Sequence, residues 1–140
     1  MDAPERELRV TDLFERSIAW YRRWYFLLRL EEEILRAGRY ERPLALIGLR
    51  LKSESRGDVE RLQAALKRVS TEELRSTDIP GALGLDEYAV ILPETDRRGG
   101  EVVVTRLQQA LSTFSPDCRI AVFGEDGGES SALLDRALAN

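Results

Sequence analysis

The sequence predicts an α/β sandwich, a mixed sheet flanked by helices. Short apolar runs of strand length alternate with stretches of helical periodicity, and a hairpin pattern sits in the middle of that order. The chain has 140 residues and 43% hydrophobic content, which suits one domain with a single packed core.

The elements follow in order. Residues 1–11 are charged and weakly patterned, and read as a flexible start to a domain spanning 12–140. From Asp12 to about Arg39 the pattern is helical, with Phe14, Ile18, Tyr21, Tyr25, Leu28 and Leu35 on one face. Trp20, Trp24, Leu27 and Ile34 make a second apolar edge, so this helix must bury more than one side. One side fits the sheet. The tryptophan edge fits either more core or an interaction surface, including a homodimer seam. Gly38 is a candidate stop.

Pro43 then opens a nearly continuous apolar run over residues 44–51, the pattern of a central strand. Asp58 can cap a helix to about Ser70, with Val59, Leu62, Leu66 and Val69 inward. Residues 79–84 and 87–92 read as two strands around a turn at Gly84-Leu85-Asp86. Thr95 or Asp96 caps a helix to about Phe114, with Val103, Leu107, Ala110 and Leu111 inward. A strand over 118–124, a glycine-rich loop and a short helix over 130–139 complete the chain.

Composition excludes several functions. The net charge is −4 with no histidine, which removes the usual general base, zinc ligand and pH switch and argues against a nucleic-acid binder. Positive charge is almost all arginine; Lys52 and Lys67 are the lysines. The single cysteine, Cys118, lies in an apolar strand pattern and reads as a core thiol. No apolar run reaches the length of a membrane span, and no signal-peptide core follows Met1. The expected setting is cytoplasmic, with no cofactor and no metal.

Several segments, in the right order, resemble the GGDEF domain of cyclic di-GMP signalling. Tyr21-Arg22-Arg23-Trp24-Tyr25 stands where that family has Asn-Arg-Arg-x-Phe, and Gly57-Asp58 matches the Gly-Asp that opens its next helix. Gly84-Leu85-Asp86-Glu87-Tyr88 stands at the signature loop, and Pro93-Glu94-Thr95 follows it as Pro-x-Thr does. Leu134-Asp135-Arg136-Ala137-Leu138 resembles the family's Ala-Asp-x-Ala-Leu. The resemblance covers the chain from about Phe14 and implies a nucleotidyl-cyclase-like sandwich with a largely antiparallel sheet.

It also implies that diguanylate cyclase chemistry is lost. The strand aspartate that holds metal in the family aligns with Arg50, and the next expected aspartate with Lys52. A guanidinium cannot ligate a divalent cation and repels it. Leu85 replaces the second glycine of the loop, where a positive φ would be costly. The guanine-reading segment after the first strand is missing. Asp86 and Glu87 remain; they form either a solvated turn or an ion pair with Arg50 that substitutes a fixed cation for the metal.

The family's product-inhibition site is an Arg-x-x-Asp ending five residues before the loop. Arg75-Ser76-Thr77-Asp78 has that spacing, and Arg106 aligns with the arginine that completes the site. The resemblance thus implies a catalytically inactive receptor that binds cyclic di-GMP through Arg75, Asp78 and Arg106. Otherwise, Asp78 caps a local turn, Arg75 pairs with an acid such as Glu72, and the chain is a protein-interaction module that uses Trp20, Trp24 or Leu85.

Overall fold

The computed structural model describes residues 20–52 and 56–138. Five strands and four α-helices follow in the order β1 (Tyr21–Arg22), α1 (Arg23–Tyr40), β2 (Leu44–Arg50), α2 (Arg56–Arg68), β3 (Ile79–Gly84), β4 (Glu87–Pro93), α3 (Arg97–Ala110), β5 (Asp117–Val122) and α4 (Ser130–Leu138). The sheet order is β1-β3-β4-β2-β5. β1 runs parallel to β3, and the other neighbours are antiparallel. The sheet is therefore mixed and largely antiparallel, as the sequence predicts.

β2 is an interior strand between β4 and β5 and is buried on both faces, which explains its unbroken apolar run. Its side chains alternate between two cores. Ala45, Ile47 and Leu49 face Leu62 and Leu66 of α2, Leu107 of α3 and Leu111 at its C-cap. Leu44 and Leu46 face Phe26, Leu30, Ile34, Leu133 and Ala137 of α1 and α4. Two glycines permit close approach. A Cβ on Gly81 would lie 2.3 Å from the Phe26 ring, and one on Gly48 would lie 2.2 Å from the Ala137 carbonyl oxygen.

The first helix differs from the sequence expectation. Residues 12–19 lie outside the described residues, and Tyr21–Arg22 is a strand paired with Gly81 and Ala82. A two-residue strand has no alternation to read, and its pairing is set by a distant partner. The buried stripe of α1 is Phe26, Leu30, Glu33, Ile34 and Ala37; Leu28 and Leu35 are exposed. α1 continues past Gly38 to a left-handed cap at Glu41, whose N–H donates to the Ala37 carbonyl.

Smaller differences have local causes. α2 begins at Arg56, so Asp58 lies in its first turn, paired with Arg61, rather than at its cap. Val59 and Ala110, both expected inside, are exposed. α2 widens at its end into a π-helical segment, Val69–Glu73, closed by the Leu74 N–H on the Val69 carbonyl at 3.2 Å. Asp96 is the N-cap of α3 and accepts from the Gly99 N–H at 2.9 Å. α3 ends at Ala110, and Ser112–Phe114 forms a 3₁₀ turn.

Candidate functional site

The hairpin of β3 and β4 turns on Leu85 and Asp86, with Gly84 opposite Glu87 in the register. The left-handed residue is Asp86 (φ 60°) and not Leu85. Asp tolerates this conformation better than leucine, so the leucine carries no backbone penalty there, contrary to the expectation. Leu85 is 91% exposed at the tip. The Asp86 carbonyl accepts from the Leu51 N–H at 3.1 Å, which ties the turn to the end of β2.

Arg50 ends β2 directly opposite Glu87. Its Nη1 lies 2.7 Å from Glu87 Oε2, and its Nη2 donates to the Leu138 carbonyl at 2.6 Å. The ion pair between the strand arginine and the loop carboxylate is thus present. The same guanidinium caps the last turn of α4, where the helix dipole favours a cation. Arg23 donates to the Leu83 carbonyl at 3.1 Å on the other rim of this cleft. Among the described residues, no group of three or more acidic, histidine or cysteine side chains is placed to hold a metal. The donor set does not fit a divalent cation: Glu87 is already neutralised by a guanidinium at the position a ligand would need.

The second cluster lies just before β3. The Arg75 N–H donates to Asp78 Oδ2 at 2.8 Å, and Arg75 Nη2 donates to Asp78 Oδ1 at 2.9 Å. That Nη2 also reaches the Pro93 carbonyl at 2.9 Å and Thr95 Oγ1 at 2.8 Å. Asp78 is almost wholly buried, whereas the Arg75 side chain is 53% exposed. Buried polarity is satisfied by this pairing, and the guanidinium plane is fixed while still open to solvent. Asp78 thus closes the turn, and its partner is Arg75; Glu72 is not the acid that Arg75 uses.

Arg106 on α3 donates from Nε to Glu73 Oε1 at 3.2 Å and is 47% exposed. Arg75 and Arg106 line one open groove of about 430 Å³ together with Pro43, Thr95, Gly99 and Val102. Asp78 faces a different hollow, shared with Arg36, Arg42, Ser76 and Thr77. The two hollows adjoin at Pro43 and Glu94. The structure therefore brings the two arginines together and sets Asp78 behind Arg75 as its anchor. Arg36 and Arg42 were not singled out from the sequence. Nothing in an arginine-rich chain marks two residues near the end of one helix as neighbours of a turn far along the chain.

The two tryptophans separate. Trp20 is fully buried and its Nε1 donates to the Leu66 carbonyl at 3.1 Å. It contributes no surface, which corrects that part of the expectation. Its β-branched and leucine neighbours on β2 and α2 fill the space around the ring. Trp24 is 48% exposed and shares one helix face with the exposed Leu28 and Leu35. Cys118 is half-buried, and burial, aided by the nearby Asp117 charge, pushes its thiol up to about 12.

The sheet order, the hairpin turn beside the end of β2 and the helices on both faces define a GGDEF-type fold. The GGDEF domain of YfiN (TpbB) from Pseudomonas aeruginosa matches with a TM-score of 0.76 at 22% identity, over 89% of this chain and 83% of that one. The diguanylate cyclase SiaD from Pseudomonas aeruginosa, solved with its activator SiaC, matches with a TM-score of 0.78 at 20% identity; the match covers 91% of this chain and 55% of SiaD. The GGDEF domain of DgcB from Caulobacter crescentus, solved with c-di-GMP, matches with a TM-score of 0.72 at 16% identity, over 97% and 89% of the two chains. No protein-family model and no curated protein matches the sequence.

Proposed function

We propose that this domain is a catalytically inactive, cytoplasmic GGDEF-fold receptor for cyclic di-GMP. The observation that carries the reading is the groove in which Arg75 and Arg106 stand together, with Arg75 held in plane by buried Asp78. Cyclic di-GMP offers two phosphates and two guanines. A fixed guanidinium can bind a phosphate bidentately, pair with the acceptor edge of guanine and stack on its face. Asp78 positions Arg75 in this account rather than lining the groove. The DgcB domain with the same fold was solved with c-di-GMP.

Inactivity rests on Arg50. A cation occupies the strand position where cyclase chemistry needs a hard anionic ligand, and it engages Glu87. Among the described residues no helix is long and apolar enough to cross a membrane.

Thermal melting tests the pair of claims. Ligand that binds only the folded state raises Tm by mass action. An excess of cyclic di-GMP should raise Tm, and GTP with Mg²⁺ should leave it unchanged and yield no cyclic product. A rise with GTP and Mg²⁺ alone would reverse the reading.

A second reading has its own observation. Trp24, Leu28 and Leu35 present an apolar face on α1, suited to a protein partner or a homodimer. SiaD was solved with a protein activator. Light scattering that shows a strict monomer, unaffected by Trp24→Ala, would remove the homodimer form of this reading.

A further inference from the structure

We propose that Trp20 is a positioning residue for the arginine groove, coupling the edge strand β1 to the segment that carries Glu73 and Arg75. The inference builds on the receptor reading above and names a regulation of that site.

The indole is fully buried and touches two elements at once. Its N–H donates to the Leu66 carbonyl near the end of α2, and its ring meets Tyr88 edge-on, with centroids 5.8 Å apart. Two residues after Leu66, α2 gives way to the π-helical segment Val69–Glu73. Glu73, its last residue, holds Arg106, and Arg75 follows two residues later. One hydrogen bond therefore connects Trp20, the residue before β1, to the helix that leads into the segment positioning both groove arginines.

A second connection runs through the sheet. Tyr21 and Arg22, directly after Trp20, pair with Gly81 and Ala82 of β3. β3 begins at Ile79, next to Asp78, the anchor of Arg75. A displacement of Trp20 and the strand behind it thus acts on both the carboxylate and the helix end that set the groove. π-helical turns are rare, occur mostly as single turns in α-helices and are frequent at functional sites; here the turn follows the indole contact and ends on Glu73.

Trp20→Phe removes the N–H donor and keeps an aromatic ring in the core. Leu111→Val loosens the same core without touching the bond and serves as the comparison for simple destabilisation. Hydrogen exchange over residues 69–78 should rise in Trp20→Phe by more than in Leu111→Val at matched loss of Tm. Cyclic di-GMP affinity should fall by roughly fivefold in Trp20→Phe and stay unchanged in Leu111→Val. In Trp24→Phe, which leaves Trp20 as the reporter, cyclic di-GMP should shift the indole emission.

Binding with unchanged affinity and unchanged exchange in Trp20→Phe overturns the coupling and spares the receptor reading. No binding by wild type overturns the receptor reading; the coupling then stands or falls on the exchange difference over residues 69–78.

Discussion

The Arg50 guanidinium lies 2.7 Å from the Glu87 carboxylate, its register partner across the β2–β4 ladder, and the same group caps the α4 carboxyl end through the Leu138 carbonyl. The arginine is therefore a joint between hairpin and helix. Arg50→Ala strips a partner from both acceptors and should cost about 1 kcal/mol, the modest figure reflecting partial exposure of both side chains. Chemical denaturation of the two proteins reads this directly. On the proposed reading the cyclase determinants are missing at Arg50, at Leu85 and in the short segment after Lys52, so the double variant Arg50→Asp, Leu85→Gly should still form no cyclic product from GTP with Mg²⁺; reproducible turnover would show that the cyclase machinery is nearer completion than proposed.

Arg106 is about half exposed and its partner Glu73 is partly exposed, so Arg106→Ala should change stability by no more than about 0.5 kcal/mol. Its effect on cyclic di-GMP should be much larger, on the order of tenfold in affinity, the usual value of a charge-assisted bond to phosphate. Equal affinities in a titration of the two proteins would place the ligand elsewhere.

Asp126 is a buried carboxylate that accepts from the Val122 N–H at 2.8 Å and pairs with Arg97 at 2.5 Å. Its burial alone would raise its pKa, but the Val122 N–H and Arg97 prevail and hold it below the usual carboxylate range. A depressed folded-state pKa stabilises the fold above the unfolded value, and that stability is lost as pH falls through the folded value. Asp126→Asn should lower Tm at pH 7 and should flatten the acid limb of the stability curve below about pH 4, where the unfolded carboxyl titrates. A variant with the same acid limb as wild type would exclude Asp126 as a source of acid sensitivity.

Gly48 faces the backbone of α4, where a Cβ would come within 2.2 Å of the Ala137 carbonyl oxygen. Gly48→Ala should therefore cost about 1–3 kcal/mol by forcing α4 off the sheet. Loss of α4 helix signals in NMR spectra would accompany the drop in Tm.

The thiol of Cys118, pushed up to about 12, stays protonated at neutral pH. Alkylation at pH 8 should be slow in the folded protein and should speed up greatly in denaturant. Fast modification of the native protein would mean that the β5 edge opens readily.

The central strands were legible in the sequence because their apolar runs are long and bounded by Pro43 and by the Gly84-Leu85-Asp86 turn. The hairpin also fixed the register that led to Arg75, Asp78 and Arg106. What the sequence could not resolve was orientation. α1 is apolar on two stripes, and only packing on β3 and α4 selects Phe26, Leu30 and Ile34 over Leu28 and Leu35. Trp20 looked helical because its spacing to Trp24 is four, but the pairing of Tyr21 and Arg22 with β3 turns it into the opposite core. The role of Asp78 behind Arg75, rather than within the groove, depends on Thr95 and Pro93 closing over the guanidinium, contacts between segments distant in the chain.

Isothermal titration with cyclic di-GMP of the wild type beside Arg75→Ala tests the central claim most directly. The account predicts saturable heat for the wild type and an affinity at least about tenfold weaker in the variant, the loss expected for one fixed guanidinium. A folded wild type that gives no heat at high micromolar ligand, or a variant that binds as tightly as wild type, would contradict it.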